Sequence, residues 1–204
     1  MAKFPERFIL ASASPRRKKL LELLKVPFET RVSKVEEGIR GAEEPVALVA
    51  RLAKEKAQAV AKELGAPKET TVIVGCDTIV VLGNEILGKP KNMDEAFAML
   101  RKLQGRTHMV YSGVALVKLE GGREECVSNF CATEVTMCRL TDAEIKRYFE
   151  LEDPLDKAGA YAIQDGGSLI ISGIDGCYYN VVGFPVRTLE ELMHTWGYSL
   201  FSDR

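Results

Sequence analysis

Asp77 follows the most apolar stretch of the chain, Thr70–Cys76 (TTVIVGC). A carboxylate placed where a buried strand ends stands where open α/β sheets gather ligands. There it can hold Mg²⁺ or act as a base on water. The same residue also suits an Asx-turn with Thr78 and Ile79. A second position is Ser12-Ala13-Ser14-Pro15-Arg16-Arg17, at a predicted strand-to-helix junction. A helix N-terminus offers unpaired N–H groups and partial positive charge, so it can receive a phosphate. A merely capped helix leaves Arg16 and Arg17 unexplained, because cations at that end oppose the dipole. A third group is a scatter of cations: Lys54 and Lys56 on a predicted helix, Lys89 before Pro90, and Lys157 in DKAGAY. Each of these, taken alone, reads as a solvated lysine. Glu36 and Glu37 lie in a polar loop and gain meaning only if a metal unites them with Asp77. Gln164, before Asp165-Gly166-Gly167, can read a base edge through its amide or simply sit in a turn.

Other chemistries are excluded. His108 and His194 are the only two histidines, so multi-histidine sites are out. His108 alternates with apolar residues and reads as structural. Ser12 or Ser14 as a nucleophile would need a base partner that no motif supplies. The five cysteines show no C-x-x-C pair, which points to a reducing compartment and packed thiols. No P-loop or dinucleotide fingerprint is present. The net charge of −1 argues against broad binding to nucleic acid or anionic membrane. That charge is uneven: residues 1–60 carry 13 basic and 8 acidic groups, net +5. The N-terminal part is therefore suited to an anion. No apolar run approaches the ~20 residues of a membrane span, and the N-terminus does not read as a signal peptide.

The elements that must position these residues follow from pattern. Arg7–Ser12 reads as a buried strand, and Ser14-Pro15 opens a helix with Leu20, Leu21 and Leu24 on its apolar stripe. Phe28–Val32 reads as a strand. A long helix runs from Pro45 to a stop at Gly65. Thr70–Cys76 reads as a strand covered on both faces. Ile79–Leu82 and Glu85–Leu87 form a hairpin about Gly83-Asn84. A helix follows over Asp94–Leu103, then strands over His108–Leu119 and Arg123–Arg139, then a capped helix over Thr141–Leu151. Ser168–Ile174 and Cys177–Val182 read as strands, and Pro185–Trp196 as a helix. Early strand–helix alternation with later hairpins predicts a mixed-sheet α/β protein.

Read together, LASASPRRKKLLELL, RLAKEKA, VGCDTIVVLGNEILGKP, AFAMLRKLQGRTHMVYSGVAL, EDPLDKAGAYAIQ and GCYYNVVGFP resemble the Maf family (septum formation inhibitor-like proteins). They run in the family's order from residue 10 to about 185. The resemblance implies residues 1–204 as a single domain with a mixed twisted sheet, flanking helices and two lobes around a central cleft. That architecture is similar to inosine triphosphate pyrophosphatase. It implies hydrolysis of a nucleoside triphosphate to the monophosphate and pyrophosphate, with a divalent cation, Mg²⁺ or Mn²⁺. The family's catalytic carboxylate falls on Asp77. Its phosphate-side residues fall on Ser12, Arg16, Arg17, Lys56, Lys89 and Lys157. The acidic residue that joins Asp77 at the metal falls on Glu37, with Glu36 as neighbour.

Two subfamilies are known, one preferring dTTP and UTP and the other 7-methyl-GTP. Arg16, Thr78 and Gln164 match the first. CTP and modified pyrimidine nucleotides are further candidates. Cys76 stands where Ala is usual and Ala162 where Gly is frequent, small changes that touch only pocket shape. The implied setting is a cytoplasmic house-cleaning enzyme linked to division arrest, compatible with a homodimer and without membrane or stable nucleic-acid partners. The rival from another class is a non-catalytic nucleotide- or nucleic-acid-binding division regulator, which the near-neutral charge disfavours.

Overall fold

A computed structural model describes residues 2–36, 38, 40, 41 and 43–202. Seven strands and six helices are assigned in it: β1 (Arg7–Leu10), α1 (Pro15–Leu23), β2 (Glu29–Thr30), α2 (Pro45–Leu64), β3 (Thr71–Leu82), β4 (Glu85–Leu87), α3 (Met93–Leu103), β5 (Thr107–Glu120), β6 (Arg123–Met137), α4 (Asp142–Leu151), β7 (Ile171–Asp175), α5 (Tyr178–Val182) and α6 (Val186–His194). The strand order is β2-β1-β3-β5-β6-β7, with β4 on β3. β1 pairs in parallel with both β2 and β3, whereas β3–β4 and β6–β7 are antiparallel. The mixed α/β class expected from the pattern is therefore the observed one. Among the described residues no helix is long and apolar enough to cross a membrane.

The chain divides into two compact units. The first holds Met1–Asp77, Ser112–Cys131 and Gly183–Arg204. Its core joins Ile9, Ile73 and Val117 from strands to Ala57, Val60 and Ala61 of α2. Two strand glycines decide how closely that helix can lie. A Cβ on Gly75 would fall 2.1 Å from the Ala53 carbonyl oxygen, and one on Gly113 would fall 2.2 Å from that of Val49. Neither position tolerates a side chain, so α2 rests its backbone directly on β3 and β5.

The second unit holds Thr78–Tyr111 and Ala132–Val182. Its core gathers Val80, Leu100, Leu103, Val110, Val135 and Ile145. Its helices α3 and α4 begin on side-chain caps. Asn92 accepts from the Glu95 N–H, and Thr141 and Glu144 form a reciprocal capping box.

Several expected boundaries shift. The strand expected over Phe28–Val32 shortens to Glu29–Thr30, and the one over Ser168–Ile174 moves to Ile171–Asp175. Leu24 leaves the apolar stripe and is 46% exposed, because α1 ends at Leu23 and Lys25 turns left-handed. Cys177–Val182 does not continue a strand. It closes into α5, and the Thr133 hydroxyl accepts from the Cys177 N–H at 3.0 Å. The buried Asn180 amide then donates to the Val110 carbonyl and to Thr133 Oγ1. These side-chain contacts outweigh the β-propensity of Tyr and Val.

Candidate active site

Asp77 does not end its strand. It lies inside β3, which runs to Leu82 because β4 pairs with Val80–Leu82. Side chains two apart on a strand share a face. Asp77 therefore points the way the missing Gly75 side chain would, toward α2. There Lys56 Nζ donates to Asp77 Oδ1 at 2.5 Å, with both side chains under 10% exposed. Lys56 is thus not the solvated lysine its local sequence suggests, while Lys54 is exposed. The glycine seat sets this distance. It draws α2 close enough for Lys56 to reach across to the strand.

The SPRR junction is also built. Arg17 is buried, and its Nε donates to the Gly183 carbonyl at 2.8 Å while Nη1 donates to Ser12 Oγ at 3.0 Å. Ser12 Oγ also accepts from the Ser14 N–H at 3.2 Å. The expected Ser14 cap makes no side-chain bond, so Ser12 orders the turn into α1. Arg16, one position earlier, is half-buried. Cys76 faces away from Asp77 on the strand, its thiol 3.5 Å from the same Gly183 carbonyl.

The acidic loop before α2 is tied to that helix by a network that sequence reasoning missed. Arg51 donates to both Glu43 carboxylate oxygens at 2.7 and 2.6 Å, to Glu55 at 3.1 Å and to the Gly38 carbonyl at 3.0 Å. Arg40 joins Glu55 at 2.8 Å. The Arg51 guanidinium, helped by the Arg40 N–H, holds the Glu43 carboxyl down at about 2. Glu36 is exposed in that loop, and Glu37 lies outside the described residues.

In the second unit Thr78 is half-buried on β3 and Lys89 is exposed after β4. Lys157 is buried, again against the expectation of a surface lysine. Its ammonium donates to the Asp153 carbonyl and to Asp156 Oδ1, the latter at 2.7 Å, with Glu152 at 3.8 Å. Gln164 is half-buried and precedes a 3₁₀ turn over Asp165–Leu169. The structure thus joins Lys56 to Asp77 and Ser12 to Arg17, each pair inside the first unit. Thr78, Lys89, Lys157 and Gln164 belong to the second.

Among the described residues no three His, Cys, Asp or Glu side chains gather as a ready metal cage. Mg²⁺ does not need one, since it commonly binds one or two carboxylates and completes its shell with water and phosphate oxygens. A hard carboxylate such as Asp77 suits that ion, so the donor chemistry fits.

Comparison with known proteins bears on the chain as a whole. The family model described as "Maf-like protein" matches residues 7–196. A dTTP/UTP pyrophosphatase of Bacillus cytotoxicus is 48% identical over 188 residues, covering 92% of this chain and 94% of that protein. One from Caldicellulosiruptor bescii is 44% identical over 195 residues, covering 96% and 97%. Among solved structures, the Ham1 protein of Staphylococcus aureus overlaps with a TM-score of 0.43 at 13% identity, covering 94% of this chain and 98% of that one. That overlap is too slight to bear on chemistry. The family match and the relatives, each spanning nearly the whole chain, establish that this chain belongs to the Maf-like protein family.

Proposed function

We propose that the protein hydrolyses dTTP and UTP to the monophosphate and pyrophosphate, with CTP and modified pyrimidine nucleotides as lesser substrates. The observation that carries this reading is the buried Lys56–Asp77 pair set on β3 by the Gly75 seat. A buried ion pair gains little as a stability device. A carboxylate and an ammonium held together are better explained as a site that handles a proton and an anion. The relatives named dTTP/UTP pyrophosphatase support the choice of substrate.

In this reading Asp77 takes a proton from a water whose oxygen attacks phosphorus. The α–β bridging bond breaks, and its electron pair leaves with pyrophosphate. Lys56, Arg16, Lys89 and Lys157 stabilise the charge that builds on the phosphates, since fixed donors aimed at developing charge lower the barrier most. Ser12 and Arg17 join them on the phosphate side and hold the strand-to-helix turn that carries Arg16. Asp77 and Glu37 would hold a divalent cation, which supplies further charge stabilisation when bound. Arg16, Thr78 and Gln164 select the pyrimidine, because an unmatched polar edge is rejected strongly in a closed site. The whole chain acts as one enzymatic domain, in the cytoplasm, clearing nucleotides with a link to division, alone or as a homodimer.

Pyrophosphate release measured across a nucleotide panel, with Mg²⁺, with Mn²⁺ and with chelator, tests this directly. Turnover should favour dTTP and UTP and should need a metal. Asp77→Asn should lose at least ~100-fold in kcat while remaining folded, the scale of a lost general base. Binding of triphosphates without turnover would overturn the enzyme reading in favour of a regulator.

A further inference from the structure

The buried histidine of the second unit has no part in the chemistry above. His108 lies on β5 and is 2% exposed. Its Nε2 meets the Tyr161 hydroxyl at 2.6 Å, with the two rings edge to face at 5.3 Å. Among the described residues its Nδ1 has no hydrogen-bond partner. A position that only packs is served better by an apolar side chain, because a buried unsatisfied nitrogen is a net cost. Burial holds the His108 imidazole neutral down to about 4, and it pushes the Tyr161 phenol up. The pair therefore keeps one protonation state across the neutral range.

Tyr161 stands between Lys157 and Gln164 in a segment with unusual backbone. Gly159 and Ala160 are successive left-handed residues, with φ of 69° and 63°. Ala160 carries a Cβ, so this conformation persists only where its neighbours over-determine it. Three contacts do so. The Gly159 N–H donates to the Gly88 carbonyl at 3.0 Å, and the Ala162 N–H donates to the Tyr148 hydroxyl at 2.9 Å. The third is His108 on Tyr161, the side chain that immediately follows Ala160.

We propose that His108 is a positioning residue, which through Tyr161 fixes the segment that presents Lys157 and Gln164 to the nucleotide. The proposal rests on the function assigned above for those two residues. A strand supports such a segment more rigidly than a neighbouring loop would.

The test compares Tyr161→Phe, His108→Gln and the double variant His108→Leu/Tyr161→Phe with the wild type. Removing both polar partners together should leave melting close to wild type, because no buried group is then left unpaired. The same double variant should raise KM for dTTP by about 10-fold, with kcat within about 3-fold, and should weaken preference for dTTP over dGTP, the pattern of lost substrate positioning. His108→Gln, which can still reach the Tyr161 hydroxyl, should recover most of the KM. Amide exchange over residues 158–164 should quicken in Tyr161→Phe while β5 stays protected. A stable double variant with wild-type KM, base ranking and exchange would overturn the proposal. The exchange measurement needs no turnover, so an inactive wild type would defeat the assigned function and leave this inference separately readable.

Discussion

Lys56 and Lys157 are both buried lysines beside carboxylates, yet they are held in different ways. Lys56 projects from a 20-residue helix to a carboxylate on a strand, and the two meet only because glycine lets helix and strand touch. Lys157 finds its acceptors within its own segment, at Asp153, Asp156 and Glu152. One pair is a product of tertiary packing and the other of a local turn. The lesson is that burial alone does not rank two charged groups. What matters is whether the partner can follow when one member is lost. Asp77 is fixed in a covered strand, whereas the Asp156 side chain is 45% exposed and can turn to water.

The sharpest break of this contrast is paired truncation. Lys56→Met should cost about 3–5 kcal/mol, the scale for stranding one member of a buried pair. Lys157→Met should cost less, about 1–2 kcal/mol, since its nearest carboxylate, Asp156, is largely exposed and can rehydrate. Urea unfolding checks both, and equal losses would erase the distinction.

Acid separates the two units next. His108 is held neutral by burial, from 6.5 down to about 4, so only the unfolded chain takes up its proton as pH first falls. Its contribution is complete above about pH 6.5 and is lost on acidification through about pH 4, on the order of 3 kcal/mol. Glu43 in the first unit is held at about 2 by Arg51, so its contribution is lost lower, as pH falls from 4.5 through about 2. Urea unfolding at stepped pH should therefore soften the second unit first. Trp196, the single tryptophan, reports the first unit, where Lys118 lies 5.4 Å from its ring centre.

Gly75→Ala should destabilise by about 1–3 kcal/mol through overpacking. It should lower kcat as well, by lifting α2 and Lys56 from Asp77. A calorimetric melt and an assay on the same preparation would separate the two effects. The smallest change is Arg51→Met, about 1 kcal/mol for a partly exposed network. It should loosen the loop before α2 and raise the Mg²⁺ concentration needed for half-maximal turnover severalfold, read by metal titration.

What the sequence made legible was local. The Gly83-Asn84 turn, the capped helix start at Thr141 and the stop at Gly65 depend on neighbours in the chain, and each stands where pattern puts it. Pattern alone ends β3 at Cys76, because Asp77-Thr78 interrupts an apolar run, and only pairing with β4 carries the strand through. Pattern alone does not separate strand from helix at Cys177–Val182, where Thr133 and Val110 supply the deciding contacts from distant positions. In the site, Asp77 stood out as a carboxylate after a buried run. Lys56 did not, because RLAKEKA gives Lys54 and Lys56 the same local appearance. Glycines inside VIVGC and YSGVA were the available clue to close helix contact. His108 looked structural because alternation reports burial and is silent on the partner, which lies 53 residues on.

Cys76 gives the site a reporter of its own. Its thiol is fully buried, while Cys126, Cys131, Cys138 and Cys177 are each half-buried. It sits one residue from Asp77 and against the Gly183 carbonyl that also receives Arg17. An alkylating reagent will therefore modify the other four thiols first and reach Cys76 only when β3 opens. The rate of that last modification, followed by mass spectrometry, clocks the breathing of the strand that carries Asp77, without any engineered label.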